Sequence, residues 1–409
     1  MHKSASSNFH ILYLIQYFGV PDDSAVASRS FEFVRYWSQA GARVTVVASS
    51  AFINDRQKLG KWFNDNVDLR IVRQPYHNRM SAVQRLTSFL GFYIKGMLSS
   101  LSVQNVDLVY ASSTPLSVAL LGKHLAHIFK VPFFLELRDL WPDFPIEMGA
   151  VKSEPLKRWL YKTESRLYEA ATHIVTLSPT ASQRLVRNKG VDSERISSIP
   201  NGTTYPYFRP RKTKSQLTRT GGRHLVIYAG TLGKANNVEW IMRFINQALR
   251  INKRRNFHFA IIGDGSELSK VRKWHRSQPV SRRPFIQLVP MMSRVEVANW
   301  FIAADFSLIT YKPLKSLQAT SPNKFFNSLS GGAIPITNHT GWVGQLTENW
   351  KLGIVDSDPQ SAAKRMLELA ENKNLKSTYH RNLLSAARLF RRDEMAETLF
   401  SLFKEHLPR

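Results

Sequence analysis

Hydrophobic residues fall in short, nearly unbroken runs, separated by stretches where they recur every three or four positions. In the first half the runs are residues 10–17, 43–48, 69–72, 108–111, 133–136, 173–177 and 196–199. Near-continuous apolar runs of that length read as parallel strands covered on both faces. Helical spacing lies between them at 28–39, 81–100, 116–129, 156–170 and 179–189. Strand and helix alternate, as in a doubly wound α/β domain. The run 11–18 is broken only by Gln16. It is far shorter than the roughly 20 residues of a spanning helix and lacks a small-residue cleavage site, so it reads as a buried first strand.

The alternation stops between residues 203 and 223, a stretch of Thr, Tyr, Pro, Arg, Lys, Ser and Gly, and no acid occurs between Glu194 and Glu239. This reads as a basic linker. Strand-like runs resume at 225–229, 257–262, 286–288, 306–309, 333–337 and 353–355, with helices between them, and the last 50 residues read as helical. The expected architecture is two doubly wound, Rossmann-like α/β domains facing each other across a cleft, with ligands at the carboxyl ends of the strands.

Composition narrows the chemistry. None of the 409 residues is cysteine, which excludes disulfides, thiolate metal sites and a thiol nucleophile. The 12 histidines show no paired metal-ligand spacing, and neither a Walker loop nor a Gly-x-Ser-x-Gly elbow occurs. Lysine and arginine number 57 against 30 acids, a formal charge of +27. Residues 211–409 carry 32 basic and 14 acidic side chains, and residues 1–210 carry 25 and 16. Such a field favours phosphorylated ligands, anionic lipid or nucleic acid. The charge is scattered and no nucleic-acid module is present, so nucleic acid is not the expected partner.

Three turns of the second half carry candidate chemistry. Thr320-Ser321-Pro322-Asn323-Lys324 heads a helix, with Ser321 expected as its N-cap and Pro322 at its first position. Such a terminus favours an anion, and Lys324 adds a point charge for a phosphate. From local sequence alone, an ordinary capped helix with a surface lysine is the commoner reading. Gly230, Thr231, Gly233 and Lys234 follow one strand, and Gly263-Asp264-Gly265 follows the next. Each turn is weak alone; their shared place at strand ends adds weight.

In the first half, Glu136-Leu137-Arg138-Asp139-Leu140-Trp141-Pro142 leaves a strand, with Glu147 close behind. Arg138 can neutralise a leaving phosphate and Asp139 can orient an acceptor hydroxyl; an Arg–Asp ion pair at a helix start is the alternative. Ser24 lies in the loop after the first strand and Ser113 in the turn after the fourth. Residues 79–101 form an acid-free segment with Met80, Val83, Leu86, Phe89, Leu90, Tyr93, Ile94, Met97, Leu98 and Leu101 at helical spacing. It is either a core helix or one lying in a membrane interface; exposure decides.

The ordered set Gln16-Tyr17-Phe18, Arg138 to Pro142, Thr176-Leu177-Ser178-Pro179, Ile199-Pro200-Asn201-Gly202, Tyr228 to Lys234, Gly263 to Gly265 and Ser321 to Lys324 resembles the retaining glycosyltransferase family 4, of GT-B fold. The closest likeness is to bacterial O-antigen and capsule transferases, including N-acetyl-L-fucosamine transferases. The resemblance implies an acceptor domain at residues 1–205, a nucleotide-sugar domain at 206–392, and a final helix, about 393–409, returning to the first domain.

By the same resemblance, Lys234 and Lys324 hold the donor diphosphate, with Arg138 and Asp139 at the reacting centre. Gly230, Thr231, Gly233, Gly263, Asp264, Gly265, Ser321, Pro322 and Asn327 line the donor, and Ser24, Ser113, Trp141 and Glu147 the acceptor. No metal or other cofactor is implied. The expected partners are a nucleotide-sugar, commonly UDP-linked, a lipid-linked glycan and an anionic membrane surface. The expected location is the cytoplasmic face of the plasma membrane. Family members often carry two glutamates eight positions apart where this chain has Ala319 and Asn327. That departure keeps open an inactive scaffold of glycan assembly, and a nucleotide-sugar epimerase, which the fold also supports, is the other alternative.

Overall fold

The computed structural model describes residues 9–20, 28–53, 62–76, 80–204, 217, 224–252 and 254–407. The chain divides into two compact units, residues 1–200 with 392–409, and residues 201–391. Most of the expected linker, and the loop holding Ser24, lie outside the described residues.

The first unit is built on a seven-stranded, all-parallel sheet: β1 (His10–Ile15), β2 (Arg43–Ser49), β3 (Val67–Val72), β4 (Leu108–Ser113), β5 (Phe133–Leu137), β6 (His173–Thr176) and β7 (Ile196–Ser198), in the order β3-β2-β1-β4-β5-β6-β7. Every residue of β1 and β4 is buried. Between the strands run α1 (Ser28–Gln39), α2 (Ala82–Ser100), α3 (Leu116–Phe129), α4 (Asp143–Glu147), α5 (Glu154–Ala170) and α6 (Pro179–Lys189).

Local chemistry sets the helix ends. The Ser178 hydroxyl accepts the Ala181 N–H at 3.1 Å, Pro179 takes the first position, and Gly190 closes α6 in the left-handed region at φ +66°. At α2, Ser81 and Gln84 form a reciprocal capping box.

The second unit repeats the plan with six parallel strands: β8 (His224–Ala229), β9 (Phe257–Ile262), β10 (Ile286–Val289), β11 (Phe306–Ile309), β12 (Ile334–Thr337) and β13 (Ile354–Val355), in the order β10-β9-β8-β11-β12-β13. Its helices are α7 (Val238–Ile251), α8 (Leu268–Ser277), α9 (Arg294–Ala303), α10 (Asn323–Gly331), α11 (Trp342–Asn349), α12 (Pro359–Glu371) and α13 (Lys373–Leu389).

The final helix, α14 (Arg392–Glu405), belongs to the first unit. It packs on α1, where the Trp37 indole N–H donates to the Ala396 carbonyl at 3.0 Å. Phe400 stacks on Phe9, and Phe403 meets Trp37, Tyr110 and Phe134. Its inner face, Ala396, Leu399, Phe400 and Phe403, is buried.

Strand order reverses between β1 and β4 in one sheet and between β8 and β11 in the other. Crevices for ligands open at the carboxyl ends of strands at such points. Each unit is therefore a doubly wound, Rossmann-like α/β domain with its own switch point.

Candidate functional site

In the second unit the switch point holds a lysine. Tyr228 ends β8 from within and Tyr311 follows β11. The Lys324 ammonium lies 4.7 Å from the centre of the Tyr228 ring and 4.8 Å from that of Tyr311. Its Nζ donates to Asn236 Oδ1 at 2.8 Å and to the Tyr228 hydroxyl at 3.3 Å. All these partners are neutral. Burial without a counter-ion pulls its pKa down from 10.5 to about 7. The lysine is thus held by rings and amides at a point where an anion would complete it.

The frame around it is backbone. The turn after β8 and the turn after β9 lie on each other: Gly230 N–H donates to Ile262 O at 3.0 Å, and Leu232 N–H to Asp264 O at 2.9 Å. A Cβ on Gly263 would sit 2.0 Å from the Gly230 carbonyl oxygen, and one on Gly265 would sit 2.4 Å from that of Leu232. Both glycines also hold positive φ, +146° and +157°. Gly230 adjoins the lysine itself, its Cβ position lying 3.6 Å from Lys324 Cε. Asn338 fixes Tyr311 by accepting its N–H and donating to its carbonyl, each at 2.9 Å.

The expected N-cap is corrected. Helix α10 begins at Asn323 with Pro322 in the cap position and no side-chain cap. The Ser321 hydroxyl accepts the Asn201 N–H at 3.0 Å instead, and the Asn201 side-chain amide donates to the Ser321 carbonyl. Pro322 has no side-chain oxygen to cap α10, whose N-terminus carries the positive end of the helix dipole. Asn327 lies one turn further along, half-buried, and Ala319 is buried. Lys234 is exposed on the short turn 234–236, alongside the exposed Thr231. The structure therefore gathers Gly230, Gly263, Gly265 and Lys324, while Lys234 stays in solvent and Ser321 is engaged by Asn201.

The first unit's switch point has two layers. In the inner one, Arg29 Nε meets Glu136 Oε1 at 2.7 Å, both side chains being 1% exposed. Ser112 donates to Glu136 Oε2 at 2.5 Å, and Arg29 Nη1 donates to Pro200 O at 2.5 Å. Burial alone would raise the Glu136 pKa, but Arg29, Arg138 and the Ser112 hydroxyl hold it below the ordinary value. The pair fastens β5 to α1 and to the start of the 200–204 segment.

The outer layer holds the expected residues. Thr114 Oγ1 donates to Asp139 Oδ2 at 3.3 Å, joining the ends of β4 and β5. Burial raises the Asp139 carboxyl above its usual range, against the pull of Arg138 and Thr114. No ion pair closes between Arg138 and Asp139 or any other carboxylate among the described residues, so the ion-pair alternative does not hold. Ser113 ends β4 with its hydroxyl buried and without a partner. Trp141 follows half-buried, and Glu147 ends α4.

Arg29, Asn236 and Tyr311 were not singled out from the sequence, and Tyr228 was named only as the start of a motif, with no role of its own. A charged residue on an otherwise apolar helix face signals Arg29. Asparagine closing a glycine turn is the only local signal for Asn236.

Comparison with known proteins matches these features. Residues 24–202 match a glycosyl transferase 4-like domain. A curated relative, D-inositol 3-phosphate glycosyltransferase of Paenarthrobacter aurescens, is 23% identical over 189 residues. The match covers 45% of this chain and 46% of the relative, so it spans about half the length of that protein. Among solved structures, Anabaena Alr3699/HepE in complex with UDP and glucose superposes with a TM-score of 0.70 at 14% identity, covering 97% of this chain and all of that one. Sucrose-phosphate synthase from Thermosynechococcus elongatus gives 0.72 at 14% identity, over 97% and 99% of the two chains. Residues 24–202 are thus similar to a glycosyl transferase 4-like domain, and the chain shares the GT-B fold of these structures.

Proposed function

We propose that the protein is a retaining glycosyltransferase that moves a sugar from a nucleotide-sugar, UDP-linked, to a lipid-linked glycan in bacterial surface polysaccharide synthesis. The observation that carries this is Lys324, held by neutral partners above two glycine turns at a sheet's switch point. The binding of UDP and glucose by a protein of the same fold supports a UDP-linked donor.

Each unit takes its own half of the reaction. The second unit holds the donor diphosphate by Lys324 and the positive end of the α10 dipole, in the role a metal ion plays in other transferases. The first supplies Asp139 to orient an acceptor hydroxyl and Arg138 to offset charge. The acceptor oxygen forms its bond to the anomeric carbon on the face from which the diphosphate leaves. The carbon–oxygen bond to phosphate breaks, and the acceptor proton passes to the departing phosphate oxygen. The products are a glycoside of retained configuration and a nucleoside diphosphate.

A melting-temperature panel with UDP, GDP, ADP, CMP and dTDP tests the donor half. Ligand at about 100 times its dissociation constant stabilises by roughly 2.7 kcal/mol. The expected result is a rise with UDP that Lys324→Ala abolishes, with turnover of that variant lowered at least about tenfold. A shift that persists in the variant would remove Lys324 from the site. No shift with any nucleotide would leave the donor site without support.

A further inference from the structure

Helix α2 settles the question its sequence raises. One face is packed: Ser88, Phe92, Gly96 and Ser100 are buried, with Gly96 against Leu121 and Val47. The opposite face is bare. Val83 is 70% exposed, Leu86 67%, Leu90 56%, Ile94 49% and Leu98 67%, and Leu101 continues the line just past the helix. Steps of three and four residues keep all six on one stripe. Phe89 and Tyr93 do not belong to it. Phe89 stacks on Tyr76, and the Tyr93 hydroxyl is hydrogen-bonded to His124 Nδ1 at 2.7 Å.

Helix α3 packs between α2 and α5. It adds Ile128, 50% exposed, and α5 adds Trp159, 57% exposed. The electrostatics of this face are one-sided. Between Asp68 and Glu136 the only carboxylate is Asp107, which is taken up by the His10 N–H at 2.7 Å. Lys95 lies on α2 and bonds the Arg73 carbonyl, α3 adds Lys123 with Lys130 just past its end, and none of the four is in a salt bridge with a carboxylate among the described residues. No helix among the described residues is long and apolar enough to cross a membrane.

We infer that the exposed face of α2 docks on an anionic lipid bilayer, lying in the plane of the interface with its leucines among the acyl chains. Charge complementarity selects this occupant. An apolar stripe on an acid-free helix with basic side chains beside it matches a layer of anionic headgroups over hydrocarbon. A second copy would press two such basic faces together against their own repulsion. The inference rests on the lipid-linked acceptor proposed above, but vesicle binding needs neither donor nor acceptor, so either can fail alone.

The test is co-sedimentation with vesicles of phosphatidylcholine mixed with phosphatidylglycerol, against phosphatidylcholine alone. Three chains are compared: the native protein, the triple variant Leu86→Gln, Leu90→Gln, Ile94→Gln, and the control Val280→Gln, which changes an exposed residue of the other unit. The expected result is binding to anionic vesicles that weakens with salt, falls roughly tenfold or more in the triple variant and is unchanged in the control. The melting temperature and the nucleotide-induced shift of the triple variant should match the native protein, because the replaced side chains stand in solvent. Absence of native binding to anionic vesicles would overturn the inference, as would equal binding by the triple variant. A dimer of the native chain that dissociates in the triple variant, without vesicle binding, would assign the stripe to a second copy instead.

Discussion

The two switch points share a strand order yet treat charge in opposite ways. Under the ends of β4 and β5, Arg29 and Glu136 complete each other at 2.7 Å and are sealed from water. Beyond the ends of β8 and β11, Lys324 has rings and an amide around it and no carboxylate partner among the described residues. The titration directions follow from this difference. Glu136 is held in its charged form by its partners, whereas Lys324 is pushed toward neutrality. Asp139, with Arg138 nearby but unpaired, is pushed toward neutrality as well. At these two places the closed pair fastens the fold, and the lysine without a counter-ion is a candidate for an anion from outside.

The strongest way to break this comparison is to open the closed pair. Glu136→Ala leaves the Arg29 guanidinium buried without compensation, and breaking a buried pair from one side costs about 3–5 kcal/mol. Urea unfolding of the variant should show the loss in the first unit's transition, with the second unit's nucleotide-induced shift preserved. Replacing both partners by apolar residues, Arg29→Met with Glu136→Leu, should recover much of the stability. If Glu136→Ala unfolds like the native chain, the pair is not what fastens β5 to α1.

A smaller effect is expected at the glycine frame. Gly263→Ala brings a methyl to 2.0 Å from the Gly230 carbonyl oxygen and holds alanine at φ +146°. Strain of this kind costs about 1–3 kcal/mol. It should appear as a lowered melting temperature together with weaker nucleotide binding, because Gly230 moves with it and Gly230 adjoins Lys324. Gly149→Ala is the control: it also has positive φ, +73°, but its Cβ would meet nothing within 4 Å. It should cost stability modestly and leave nucleotide binding alone. Equal loss of binding in both variants would dissociate the glycine frame from the lysine.

The sheets were legible in the sequence because parallel strands, covered on both faces, write themselves as apolar runs. Their ends were less so. The run at residues 10–17 outlasts β1, whose pairing stops at Ile15 opposite Ala48. Strand β4 continues through two serines that no apolar pattern reveals, because Ser112 and Ser113 pair with Glu136 and Leu137. Lys324 could be picked from its local turn, but its neighbours Tyr228 and Asn236 stand 96 and 88 positions away. Arg29 and Glu136 are 107 apart. A contact at that separation exists only once the crossovers have closed, so residue spacing cannot announce it. In α2 the periodicity was plain, and only packing could decide which stripe is covered. Phe89 and Tyr93 look like the membrane-facing aromatics in the sequence, yet they are engaged by Tyr76 and His124.

The finest test of the comparison is the pH dependence of donor binding. Lys324 has a pKa of about 7 in the free protein, lowered by burial. A sugar nucleotide brings a diphosphate diester that stays fully ionised, and its charge raises the lysine's pKa in the complex. Below pH 7 the lysine is already protonated, so affinity should be level. Above pH 7 binding must take up a proton, so affinity should fall with rising pH, by at most about tenfold per unit, until the pKa of the complex is passed. Stability of the free protein runs the other way. The unfolded lysine holds its proton up to about 10.5 and the folded one releases it near 7. Between those values the unfolded chain binds more protons, so this residue's contribution grows more favourable as pH rises. Lys324→Met should bind donor weakly and level across the same range, and the native-minus-variant difference in unfolding free energy should rise from pH 7 toward pH 10. Isothermal titration in buffers of different ionisation enthalpy reads the proton uptake directly. A native affinity that is level from pH 6 to pH 9, or a slope that survives in Lys324→Met, would mean that the lysine is not the group completed by the donor.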